Sequence, residues 1–321
     1  MFRRQFVAGS AASAALVAGR AAQAQARQFS IATGNTGAVY YPLGGAMANI
    51  LSKKVPGWAV TAEATAGSVA NMHMIRDGKA QMALTQCDTA YDAIKGLDKF
   101  VGKPVESRTL AVIYPNLVHF VTMEGTGINK LSDIKGKRIS TSAPVSGSEV
   151  MALRIIDELG LKLSDIKRER LAPAESTNAM KDGKLDGYFF NGGPPVAAIT
   201  DLAATQGVKI KLIPTADLVP ALNKKYGPVF APSEIKARAY PNQDAAVPVI
   251  AIWNILIVPA SMSDDQAYTI IKTLWDNQAD LVATHKASAD MTPENQKLAN
   301  SSVPFHPGAL KFFAEKGIKL S

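Results

Sequence analysis

A single cysteine, Cys87, in 321 residues excludes an internal disulfide, so the fold must stand on its apolar core even in an oxidising compartment. The four histidines, His73, His119, His285 and His306, are scattered, with no H-E-x-x-H spacing and no His/Cys cluster. That leaves no metal signature. Short-period repeats are absent, which excludes a solenoid. Beyond the first 26 residues no apolar run reaches membrane-spanning length. The longest, 247–260, contains Pro248, Asn254 and Pro259 and reads as a core strand. No nucleophile elbow or triad spacing is present.

What is present begins with a leader. Arg3 and Arg4 precede Phe6-Val7-Ala8 and a small-residue apolar run to Gly19, and Ala22-Gln23-Ala24 and Ala24-Gln25-Ala26 both offer small-x-small cleavage sites. Residues 1–26 are therefore read as a secretory signal, by the general or the twin-arginine route, and the protein as periplasmic. The formal net charge is +8. Removing Arg3, Arg4 and Arg20 with the leader lowers it to about +5. The densest basic cluster, Lys135-Gly136-Lys137-Arg138, has no interleaved aromatics and reads as a solvated turn, not a nucleic-acid surface. With 47% hydrophobic residues, the composition is that of an ordinary globular protein.

One unit occurs twice. Ile75-Arg76-Asp77-Gly78-Lys79-Ala80-Gln81 is echoed by Met180-Lys181-Asp182-Gly183-Lys184-Leu185-Asp186, each Asp-Gly marking a turn from helix to strand. In the first copy, strands are expected over 28–33, 58–63 and 82–86, with helices from Pro42 to about Lys54 and from an N-cap at Ser68. The second copy has strands over 137–142, 167–171 and 187–190, with helices over 149–159 and 173–182. Alternating β and α predicts parallel sheets with right-handed crossovers. Ligands bind beyond the carboxyl ends of such strands. Two apolar stretches, 117–122 and 250–258, read as strands crossing between the copies. Helices are expected over 264–278 and from Lys297 onward. The expected architecture is an α/β fold of two lobes joined by two crossing strands, with a ligand cleft between them. Lobe 1 takes 27–117 plus 257–321, and lobe 2 takes 118–256.

The strand-end loops are polar and glycine-bearing, and they supply the candidate site. Loop 34–40 holds Asn35, Thr36 and Gly37 and leads into a helix N-terminus, where backbone N–H groups and the helix dipole favour an anion. It lacks G-x-G-x-x-G and the P-loop lysine, so a nucleotide is a poor fit. Ser68, Ser146 and Ser148 can offer hydroxyls or simply cap helices. Gln86 and Asp88 end a strand beside the loop. Asp88 either accepts from an α-ammonium or caps a helix. Asn191 sits on the opposite lobe and can sense closure. Cys87 reads as a small buried filler, and His306-Pro307-Gly308 as a structural turn.

The chain resembles the TAXI receptors, the TRAP transporter-associated extracytoplasmic immunogenic family. The resemblance rests on Ile31-Ala32-Thr33-Gly34-Asn35-Thr36-Gly37-Ala38-Val39-Tyr40-Tyr41-Pro42-Leu43-Gly44-Gly45, Gly67-Ser68-Val69-Ala70-Asn71, Gln86-Cys87-Asp88-Thr89-Ala90-Tyr91, Leu131-Ser132-Asp133-Ile134-Lys135-Gly136-Lys137-Arg138, and Phe305-His306-Pro307-Gly308-Ala309-Leu310-Lys311-Phe312-Phe313. It implies a type II periplasmic-binding-protein fold, delivery to TRAP membrane subunits, and a small carboxylate ligand such as glutamate or a 2-oxoglutarate-like acid. The same pattern favours Tyr41 over Tyr40 for the cleft. Asn35 and Ala38 stand where the family often has glycine, and Cys87 where it usually has serine. The expected function is that of a monomeric solute receptor with no cofactor and no catalysis. The alternatives are a periplasmic lyase, with Glu63, Asp88 and Cys87 as its only candidates, or a ligand-sensing module.

Overall fold

A computed structural model describes residues 26–320. The leader expected over 1–26 lies, but for residue 26, outside the described residues. The strands are β1 (Arg27–Ala32), β2 (Trp58–Glu63), β3 (Met82–Gln86), β4 (Ser107–Met123), β5 (Arg138–Ser140), β6 (Lys167–Glu169), β7 (Gly187–Gly192), β8 (Ile210–Leu212), β9 (Ala231–Ile235) and β10 (Val247–Pro259). The helices are α1 (Tyr40–Lys54), α2 (Ser68–Arg76), α3 (Cys87–Lys95), α4 (Gly147–Glu158), α5 (Pro173–Lys181), α6 (Ala197–Ala204), α7 (Val219–Tyr226), α8 (Asp264–Asp276), α9 (Gln278–Thr284), α10 (Leu298–Ser301) and α11 (Pro307–Glu315).

The ten strands form one mixed sheet in the order β2-β1-β3-β10-β4-β7-β5-β6, with β8 on β4 and β9 on β10. The two copies read from the sequence are the two wings of this sheet. Strand β1 lies parallel to β2 and β3, and β5 lies parallel to β6 and β7. Both Asp-Gly turns have the same form: Gly78 and Gly183 take φ of +68° and +66°, where a side chain is strained.

The long strands β4 and β10 run antiparallel through both wings. Their register shifts between Asn254 and Ile255, leaving Ile113 as the extra residue. Such a bulge bends the strand and increases its twist. The apolar clusters change over at the same place. One cluster includes Phe29 to Tyr114 and resumes at Ile255, while residues on the far side, from Leu117 to Ile252, build two others.

Some boundaries differ from the reading of the sequence. Helix α1 begins at Tyr40, so Pro42 is its third residue. That position tolerates proline because first-turn N–H groups have no helical acceptor. Strand β5 stops at Ser140 because Ser142 and Val145 turn left-handed, with φ of +74° and +55°. The strands β8 and β9 and the helices α6, α7 and α9 have no counterpart in that reading. Among the described residues no helix is long and apolar enough to cross a membrane.

Candidate functional site

The carboxyl ends of β1 and β3 face those of β5 and β7, and the loops between them enclose a cavity. Four helices begin on its wall. The residues preceding α1, α2, α3 and α4 are Val39, Gly67, Gln86 and Ser146, and all four line it. Neither α1 nor α2 has a side-chain cap or an acidic residue in its first turn, so their partial positive charge is uncompensated by the chain itself. None of the lining residues carries a formal charge. The wall offers hydroxyls, amides and backbone N–H groups.

The two wings meet across this cavity. Asn191 Nδ2 donates to Gln86 Oε1 at 3.2 Å, and the Ala70 amide donates to the Val145 carbonyl at 3.1 Å. A Cβ on Gly67 would lie 3.7 Å from that of Ser146, so the first turns of α2 and α4 are packed together. The cavity is small, with room for only a few waters. This is a shut cleft.

Of the residues expected to form the site, Asn35, Ser68, Gln86, Ser146, Ser148 and Asn191 are brought together on the cavity wall. Ser146 caps α4 by accepting from the Glu149 amide at 3.0 Å. Ser148 Oγ accepts from the Asn191 amide at 3.0 Å. Ser68 does not cap α2. It is the first residue of that helix, and its hydroxyl accepts from the Gln86 amide at 3.1 Å, tying α2 to the end of β3.

Four expectations are corrected. Thr36 and Gly37 lie on the loop but off the wall; Gly37 instead faces Ala174 of α5. Tyr41 points outward, 37% exposed, while Tyr40 is buried and lines the cavity. Adjacent residues on a helix point about 100° apart, and the helix starts at Tyr40 itself. Asp88 neither caps α3 nor reaches the cavity. Gln86 precedes the helix, and Asp88 is buried against Arg154 of α4, whose Nη1 donates to Oδ2 at 2.8 Å. The same guanidinium bridges to Asp92 and lies 4.6 Å from the Tyr226 ring centroid. Burial raises both carboxyls, Asp92 to about 6 against the pull of Arg154.

Cys87 is buried behind the wall, where burial pushes its thiol up to about 12 and keeps it protonated. Glu63 is exposed at the end of β2. His306 caps α11, accepting at Nδ1 from the Gly308 amide at 3.1 Å. Among the described residues no group of three metal-ligating side chains gathers.

Several wall residues were missed: Tyr40, Tyr114 and Asn116, with Asn254 behind them. Asn254 Nδ2 donates to the Tyr114 carbonyl at 3.1 Å, and its Oδ1 accepts from Asn116 Nδ2 at 3.0 Å and from the Tyr40 hydroxyl. Burial holds both phenols well above their ordinary range, so each stays protonated. The signal was in the sequence: Asn254 interrupts an otherwise apolar crossing strand, and a polar side chain there must find partners.

Comparison with known proteins gives three findings. The NMT1-like family profile matches residues 31–317. A protein of Escherichia coli (strain K12), described as a candidate aliphatic sulfonates-binding protein, is 25% identical over 193 residues, covering 57% of this chain. The chain spans 59% of the length of that relative. Among solved structures, a protein of Bordetella bronchiseptica RB50 superposes with a TM-score of 0.52 at 17% identity, covering 89% of this chain and 88% of that one. The periplasmic aliphatic sulphonate binding protein SsuA of Escherichia coli gives a TM-score of 0.44 at 14% identity, covering 83% and 81%.

Proposed function

The chain belongs to the NMT1-like family, and on that premise we propose that it is a periplasmic solute receptor that shuts two lobes on a small organic anion. The observation that carries this reading is a cavity without formal charge at which four helices begin. Backbone amides at helix N-termini stabilise an anion without a paired cation, and they are preorganised, so little order is lost on binding.

The wall narrows the class of ligand. It has no carboxylate to receive an α-ammonium, because Asp88 is occupied by Arg154. The reason for preferring an amino acid therefore disappears. No cation is present for a second carboxylate, which favours a monoanion over a glutamate-like or 2-oxoglutarate-like dianion. A carboxylate, as the TAXI resemblance implies, and a sulfonate, as the Escherichia coli relative suggests, present the same oxyanion chemistry. The resemblance also supports TRAP membrane subunits as the partner that takes the loaded receptor.

Thermal unfolding with a panel of short monocarboxylates, aliphatic sulfonates, dicarboxylates and acidic amino acids tests this. A ligand at about 100 times its Kd adds roughly 2.7 kcal/mol. At least one monoanion is expected to do so, and a panel without any shift would overturn the reading. Uptake of that ligand into vesicles bearing TRAP subunits, dependent on added receptor, tests the partner.

A further inference from the structure

The shut cleft leaves buried polar atoms without partners. Asn116 Oδ1 and the Tyr114 hydroxyl are two of them. Both residues line the cavity, are at most 2% exposed, and sit two positions apart on one face of β4. An unpaired buried polar atom is costly, and natural folds rarely leave one without a purpose.

The polarity of Asn116 is fixed by its neighbours. The Tyr114 carbonyl can only accept, so the Asn254 amide nitrogen must point to it. Asn254 Oδ1 is then an acceptor, and Asn116 must offer it Nδ2. This leaves Asn116 Oδ1 as an acceptor that no side chain supplies. Tyr40 cannot supply it, because its proton goes to Asn254. Tyr114, kept protonated by burial, carries an unused donor and lines the same cavity from two positions away on β4. The pair thus presents one acceptor and one donor, both neutral.

A hydroxyl is the group that answers both, donating to one and accepting from the other. An ether or ketone only accepts, and an ammonium only donates and brings a charge this wall does not balance. Resting on the anion-binding reading above, we propose that the ligand is a short hydroxylated monoanion. Its carboxylate or sulfonate lies at the helix N-termini and its hydroxyl lies between Asn116 Oδ1 and the Tyr114 hydroxyl. The helices set affinity for charge, and β4 sets selectivity for the hydroxyl.

Calorimetric titration with matched probes tests this. Lactate is compared with propionate, pyruvate and alanine, and 2-hydroxyethanesulfonate with ethanesulfonate, so that the two arms also distinguish the head groups. The hydroxylated member of at least one arm is expected to bind about tenfold or more tighter than its partners, since a site built to hydrogen-bond a hydroxyl rejects analogues lacking it. Asn116→Leu is expected to erase most of that ratio. Tyr114→Phe, which removes only a hydroxyl without a partner, should reduce it independently if the leucine variant does not fold. Equal or tighter binding of propionate and ethanesulfonate would overturn the inference and leave the anion site standing. Tighter binding of alanine would assign the acceptor to an ammonium and overturn it too. Failure of every probe to bind would instead count against the receptor reading itself.

Discussion

Arg154 of α4 donates to Asp88 of α3 at 2.8 Å, and this contact, with both side chains buried, joins the two wings. Asp92 shares the guanidinium. Removing one partner of a buried ion pair strands the others without compensation. Arg154→Ala should therefore cost about 3–5 kcal/mol of unfolding free energy, read from denaturant midpoints. A loss below about 1 kcal/mol would show that the triad is solvated in solution.

Two buried groups, Asp92 and His119, pull the pH dependence in opposite directions. Burial raises the Asp92 carboxyl to about 6 in the fold. Its folded state thus holds a proton that the unfolded state releases, and stability falls as pH rises from about 4 to 6. His119 is buried between the Leu117 carbonyl and the Tyr240 hydroxyl, and burial pushes it down to about 4. The unfolded state takes up that proton first, so His119 makes stability rise with pH between about 4 and 6.5. Asp92→Asn is expected to steepen the rise in unfolding free energy across this window, and His119→Gln to flatten or reverse it. Identical slopes in all three proteins would refute both assignments.

Glycine at position 147 keeps the cleft able to shut. A Cβ there would lie 2.8 Å from both Gln86 Nε2 and Ser68 Oγ on the opposing wing. Gly147→Ala should weaken ligand binding by about tenfold or more, while apo stability changes by no more than about 1 kcal/mol. Unchanged affinity would mean that the bound cleft does not close as tightly as this one.

How much of this was legible beforehand depended on whether the signal was local. The duplicated Asp-Gly turns and the polar strand-end loops are local, and they placed Asn35, Ser68, Gln86, Ser146, Ser148 and Asn191 on one wall. Tyr40 against Tyr41 depended on where the helix starts, which shifts by two residues without altering the apolar pattern. The role of Asp88 depended on Arg154, 66 residues away and on the other wing, which no spacing reveals. Asn116 and Asn254 sit 138 residues apart, and only the register of β4 against β10 pairs them.

The tyrosine correction can be checked directly. Tyr40→Phe removes a buried hydrogen bond to Asn254 and should cost about 1 kcal/mol, with weaker ligand binding. Tyr41→Phe should change both by no more than about 0.5 kcal/mol. The reverse ranking would restore Tyr41 to the cleft.

Val145 holds a left-handed backbone, with φ of +55°, while its carbonyl accepts the Ala70 amide across the cleft. That conformation is costly for a β-branched residue and far less so for asparagine. Val145→Asn should stabilise the protein by about 1 kcal/mol, measured by denaturant unfolding, and destabilisation would show that the turn is not strained.

A crystal structure grown with the tightest-binding anion of the panel would be the most direct examination. The account predicts its oxyanion within hydrogen-bond distance of backbone amides at the starts of α1 and α2, the two helices without a side-chain cap or a first-turn acid, with the Asn191–Gln86 contact retained. Electron density for the anion anywhere else, such as the outer groove lined by Tyr91, Arg154 and Lys225, would contradict it.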